Sequence, residues 1–167
     1  MVAEEIFDVV NSLDEVIGTA SRAAVHAKQL RHRSAHILVF NSSGELYLQK
    51  RSLNKDTSPG LWDTSAAGHV GNGESYRDAA GRELHEELGL PLETTLEPLF
   101  KLDANFITGF EFVWVYRCIA TAMLIPDPVE ISEGRWSDVT QLEEWIKCRP
   151  TYFTTTFREI WRRLRDF

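Results

Sequence analysis

Short apolar runs separated by polar turns set the rhythm of this chain, and their periods divide it into strands and helices. Glu5 to Asn11 and Glu15 to Ile17 read as a small hairpin, and Ser21 to Leu30 carries a helical pattern. His36 to Asn41 and Leu46 to Arg51 read as strands around the turn Ser42-Ser43-Gly44, a second hairpin. Leu53 to Gly60 is a polar loop, and Leu61 to Val70 is extended. Gly71-Asn72-Gly73 then breaks the chain ahead of a helix with apolar positions at Ala79, Ala80, Leu84 and Leu88, which Gly89 is placed to end. Leu96 to Asp103 and Phe110 to Ala122 are β-rich and pair across the loop at Thr108-Gly109. In the second of them Phe112, Trp114 and Tyr116 share one face by period-two alternation. Asp138 to Lys147 and Thr154 to Leu164 read as helices able to cover a sheet. The pattern predicts a mixed sheet with helices on its faces.

Composition adds limits to this outline. No repeat or linker divides the 167 residues, so residues 1–167 are expected to form one domain. The longest apolar stretch, near Phe110 to Tyr116, is interrupted by Glu111 and falls short of the roughly 20 residues that span a bilayer. Met1-Val-Ala-Glu-Glu has neither the basic start nor the apolar run of a secretory signal, and a cytoplasmic location is expected. Cys118 and Cys148 lack metal-type spacing and are read as reduced structural residues. A net charge of −7 argues against a nucleic-acid polymer as partner, because such binding rests on Lys and Arg neutralising phosphates. An anionic substrate would need the help of a cation.

That cation has a candidate site. Glu83, Glu86 and Glu87 stand at i, i+3 and i+4, on one face of the predicted helix, where like charges repel by a few tenths of a kcal/mol per pair (~0.2–0.5). A divalent ion relieves the repulsion, and hard carboxylate oxygens suit Mg²⁺. An isolated E-x-x-E-E run reads more readily as a solvated acidic face, and here the surroundings reverse that. Gly68, five residues, Glu74, seven residues and Arg82-Glu83-Leu84-His85-Glu86-Glu87-Leu88-Gly89-Leu90 fill every fixed position of G-x5-E-x7-R-E-U-x-E-E-x-G-U, U being a bulky aliphatic. The chain therefore resembles the Nudix family.

The resemblance implies an α+β fold of Nudix type, an α/β/α sandwich with a mixed central sheet. It also implies hydrolysis of a diphosphate linkage in a small nucleoside diphosphate derivative, with Mg²⁺ or Mn²⁺ as cofactor. Glu83, Glu86, Glu87 and Gly68 fall to the metal. Glu86, Glu87 and Arg82 fall to catalysis, Arg82 by orienting a carboxylate and Glu86 or Glu87 by taking a proton. Glu111, Glu130 and Glu133 are the alternative bases, and Glu74 is either part of the motif or favourable charge at a helix N-terminus. Gly81 stands inside the helix, where close packing or a kink would explain it.

The flanks, Leu30 to Asn41 and Lys50 to Trp62, resemble isopentenyl-diphosphate isomerase, a relative of the Nudix hydrolases. By that resemblance His26, His32 and His69, with Glu111, are candidates for a second metal site. The isomerase needs a cysteine just before the Gly-His step, and Ala66-Ala67-Gly68-His69 has none. Trp62, Phe106, Phe110 and Trp114 are open either to stacking on a base or to the core, and Arg51 and Lys55 either to phosphate or to solvent. Phe157 and Trp161 face either a partner subunit, giving a homodimer, or the sheet.

Overall fold

The computed structural model describes residues 4–166, so Met1 to Ala3, on which part of the signal-peptide reading rests, lie outside it. The N-terminal hairpin pairs β1 (Ile6–Val10) with β2 (Val16–Ser21) in antiparallel register. Its turn is held by Asn11, whose side-chain oxygen accepts from the backbone N–H groups of Leu13 and Glu15. Asp14, in the same turn at φ 62°, locks the hairpin to the body of the protein. Its carboxylate pairs with Arg33 and Lys101 and accepts from the Tyr76 hydroxyl at 2.8 Å.

Helix α1 (Arg22–Ala27) starts on Ser21, whose hydroxyl accepts from Ala24 N–H, and is shorter than the predicted run to Leu30. Gln29 leaves it at φ 52°. Strand β3 (His32–Phe40) begins four residues before its predicted start. The apolar pattern begins at Ala35, and the polar half that precedes it is hydrogen-bonded all the same.

β3 is the axis of a seven-stranded mixed sheet. β8 (Glu111–Ile119) runs parallel to it along its whole length, and β7 (Glu97–Leu102) pairs antiparallel with β8. On its other side β3 pairs with the short β6 (Ala66–His69), from Ser34 to Ile37. β4 (Leu46–Arg51) meets β3 only at Phe40↔Leu46 and turns away to pair with β5 (Trp62–Asp63) and β9 (Ile131–Ser137). The predicted β3–β4 hairpin is thus real at its turn and splayed beyond it. The sheet opens there into two leaves.

Both faces of the sheet are buried. Helix α2 (Tyr76–Leu88) lays Ala79, Ala80, Leu84 and Leu88 against Ala35, Ile37, Val39 and Tyr116. Ser75 caps its N-terminus and Gly89, at φ 70°, turns the chain out of it. On the opposite face Leu38, Leu48, Val113 and Val115 pack under α3 (Val139–Cys148) and α4 (Thr155–Leu164), which supply Leu142, Phe157, Ile160 and Trp161. The helix–sheet–helix layering predicted above is present. Phe157 and Trp161 belong to this core and offer no face to a partner, and Trp62 is buried with them. Cys118 is buried and its thiol is pushed up to about 11 by burial, whereas Cys148 is exposed at the end of α3 and has no packing role.

Gly81 is not required by packing. A Cβ placed there meets only the Leu92 carbonyl oxygen, at 3.9 Å. Gly81→Ala is therefore expected to stabilise the protein by about 0.5–1 kcal/mol, read as a raised midpoint in thermal unfolding. A lowered midpoint would show that the glycine answers some constraint at this helix position.

Candidate active site

The opening between the two leaves is one large cleft of about 1010 Å³. α2 supplies one wall. Gln49 of β4 donates from Nε2 to Glu87 Oε2 at 2.9 Å, and the Ala67 N–H of β6 donates to the same oxygen at 3.2 Å. Glu87 is only 3% exposed. Burial, with repulsion from Glu83, pushes its carboxyl up to about 8. Glu83 is also raised by burial, although Arg82 beside it pulls the other way. Glu86 lies on the same helix face and is more open, 3.3 Å from Arg82.

Gly68 makes this arrangement fit. A Cβ on Gly68 would stand 2.0 Å from the Glu83 carboxyl carbon, so the carboxylate occupies the space that any side chain would fill. Arg82 holds it there: Nη1 donates to Glu83 at 2.6 Å and Nη2 to the His69 carbonyl at 3.0 Å. The same guanidinium grips Glu74 through two bonds of 2.9 Å. Glu74 also accepts from Gly71 N–H, so it orients Arg82, while the helix N-terminus is capped by Ser75.

A second cluster shares the cleft. His26 from α1, His32 from β3, His69 from β6 and Glu111 from β8 bring their ligating atoms within 4.8 Å of one another. Glu111 Oε1 is 3.2 Å from His69 Nε2 and 3.6 Å from His32 Nε2, and the His26 and His69 Nε2 atoms are 3.3 Å apart. Burial would raise the Glu111 carboxyl, yet His69 and His32 beside it hold it well below the usual range. Phe7 of the N-terminal hairpin stacks on the His69 ring at 4.6 Å.

Both groups fit a divalent cation. The glutamate face offers hard oxygens, with Glu87 buried against neutral donors only. In the histidine cluster His32 Nδ1 is 2.8 Å from the Leu30 carbonyl oxygen, which turns Nε2 toward the cluster. That Nε2 is buried without a hydrogen-bond partner among the described residues and points at a carboxylate, an arrangement that a cation completes.

The other candidates divide. Arg51, Lys55, Glu130, Phe106 and Phe110 line the cleft, with Lys55 paired to Glu130. Glu133 lies on β9 against Lys50 and outside the cleft, so it is not placed as a base. Trp114 packs partly buried against the α2-side core. Ser34, His36 and Asp63 also line the cleft and were not anticipated, because their only sequence signal is polarity within extended segments.

A family model for the NUDIX domain matches residues 30–155. Among curated relatives, an isopentenyl-diphosphate Delta-isomerase of Burkholderia multivorans is 36% identical over 92% of this chain and 89% of its own. An uncharacterised Nudix hydrolase of Yersinia pestis is 33% identical over 90% of this chain and 80% of its own. Among solved structures, DR0079 from Deinococcus radiodurans superposes with a TM-score of 0.77 at 31% identity, covering 86% of this chain and 90% of that one. No helix among the described residues is long and apolar enough to cross a membrane. By the extent of the family match and by relatives at this identity over nearly their whole length, the chain belongs to the Nudix family.

Proposed function

We propose that this protein hydrolyses a diphosphate linkage in a small organic diphosphate such as a nucleoside diphosphate derivative, with Mg²⁺ or Mn²⁺ held by Glu83, Glu86 and Glu87 beside Gly68. The observation that carries this reading is the buried glutamate face of α2, in which Glu87 is fixed by two neutral donors and Glu83 fills the notch over Gly68. When bound, the cation would neutralise phosphate oxygens and lower the pKa of a water molecule. The protein does the positioning. Arg82, clamped by Glu74, fixes the Glu83 carboxylate, while Gln49 and Ala67 N–H fix Glu87. Arg51 and Lys55 face the same cleft and supply positive charge for phosphate oxygens.

Glu86 and Glu87 are the proton acceptors in this reading. Glu87 is held at the centre of the glutamate face by Gln49 and Ala67 N–H, and Glu86 is open to the cleft. Glu111 is the weaker acceptor because its histidine neighbours lower its affinity for a proton.

A second reading is isomerisation of isopentenyl diphosphate, the reaction named for the Burkholderia relative, and the histidine cluster with Glu111 favours it. Ala67 opposes it, since a methyl group moves no proton at the position where the resembling isomerase uses a cysteine. Incubation with Mg²⁺ or Mn²⁺ and a panel of nucleoside di- and triphosphates, nucleotide sugars, dinucleotides and isopentenyl diphosphate separates the two. Metal-dependent release of phosphate or nucleotide is the expected result. Isomerised isopentenyl diphosphate with every other compound intact would replace the hydrolase by the isomerase, and no change in any compound would leave a binding module.

A further inference from the structure

An ion pair backs the histidine cluster. Arg22, at the start of α1, and Asp56, in the loop between β4 and β5, meet through two bonds: Nη2 donates to Oδ1 at 3.0 Å and Nε to Oδ2 at 3.2 Å. Arg22 Nη1 also donates to Glu5 at 3.0 Å. With side chains 30% and 52% exposed, the Arg22–Asp56 pair adds little to stability, so its place is more informative than its strength.

That place is beside the outer nitrogens of two rings of the cluster. His26 turns Nε2 to His69 Nε2, 3.3 Å away, and its Nδ1 stands 3.7 Å from Asp56 Oδ2. His69 turns Nε2 to Glu111 Oε1 at 3.2 Å, and its Nδ1 stands 3.5 Å from Arg22 Nη1. A carboxylate thus backs one ring and a guanidinium the other. Arg22, His26, His69 and Glu111 all line the cleft, through which a cation can enter.

The two halves of the pair act on such a cation with opposite sign. A carboxylate at the outer nitrogen of a ligating imidazole fixes the ring and raises its basicity. A guanidinium has donors only, so its contact at His69 Nδ1 favours the tautomer with the proton on Nε2, the nitrogen that faces Glu111. Its charge also repels a divalent ion held by the cluster. Building on the fit of the cluster to a divalent cation, and independently of the hydrolytic step, we propose that the Arg22–Asp56 pair sets the cation affinity of the histidine cluster: Asp56 raises it through His26, and Arg22 lowers it through His69. The affinity of this second cation position is thereby tied to the loop that also carries Lys55 into the cleft.

Co²⁺ is the probe. Its binding to the cluster is read by titration from paramagnetically shifted imidazole resonances, which carboxylate ligation does not produce. Asp56→Asn is expected to weaken Co²⁺ binding about 10- to 100-fold, with Asp56→Glu restoring most of it. Arg22→Gln is expected to tighten binding about tenfold. The opposite signs separate this role from that of a loop anchor, whose loss would weaken binding in both variants. Weaker binding in both Asp56→Asn and Arg22→Gln, or unchanged affinity in either, overturns the proposal, as does a wild-type protein whose imidazole resonances do not shift with Co²⁺. None of these readouts needs turnover, so failure of the hydrolytic reading would leave them unaffected.

Discussion

Replacing Glu87 by glutamine is expected to lower metal-dependent turnover by roughly a hundred- to ten-thousand-fold, the range in which a positioned proton acceptor acts. The amide is nearly isosteric and keeps an oxygen for Gln49 and the Ala67 N–H, so the wall of the cleft persists while one ligand charge is lost. Stability should move the other way. The Glu87 carboxyl ionises near 4.5 in the unfolded chain and near about 8 in the folded, metal-free protein. Because the folded pKa is the higher one, the native state holds the extra proton between these values. Its contribution to stability is full below about 4.5 and is lost as pH rises through about 8. In a chelator at pH 9, Glu87→Gln should therefore melt at a higher temperature than wild type, and the difference should shrink toward pH 5. Metal binding near neutral pH should release a proton from wild type, visible as a buffer-dependent heat, and less from the variant. Unchanged turnover, or a variant no more stable than wild type at pH 9, would remove Glu87 from this role.

Gly68→Ala is the second large effect, and it acts without changing any charge. The new methyl would lie 2.0 Å from the Glu83 carboxylate, and the end of a flexible side chain can move away. The fold should survive, with a melting temperature close to wild type, while Glu83 leaves its 2.6 Å bond to Arg82. Metal affinity and kcat/KM should each fall about 10- to 100-fold, as when the orientation of a ligand is lost. Retention of wild-type metal affinity would show that the notch over Gly68 is incidental. Gly134→Ala provides a contrast, since a Cβ there would stand 1.7 Å from the hydroxyl oxygen of the mostly buried Tyr47.

The glutamate helix was readable because three signals coincide along it: apolar residues that pack on the sheet, glycines that break the chain before it and end it, and the carboxylates on one face. Strand β9 was not. Of its residues only Ile131 and Ser137 are buried, so Ile131–Ser137 shows no alternation, and its identity comes from pairing with β4. The early start of β3 was hidden for a different reason. Arg33, Ser34 and His36 break the apolar pattern, and two of these three line the cleft, so local pattern fails where the strand borders an opening and not the core. The cluster of three histidines and Glu111 could be suspected from a family likeness, but its convergence depends on α1, β3, β6 and β8 meeting at one point. No spacing along the chain encodes that meeting.

The hairpin that Asp14 fastens to Arg33, Tyr76 and Lys101 also alters where the working unit begins. The family pattern starts at residue 30, whereas Phe7, Arg22 and His26 all precede it and all border the cleft. A protein trimmed to the recognised segment would keep every glutamate of α2 and lose one of the three histidines that cluster with Glu111, together with the aromatic wall against His69. The part that is shared by pattern and the part that borders the cleft are therefore different lengths of chain, and a change at Phe7, Arg22 or His26 falls outside the one and inside the other.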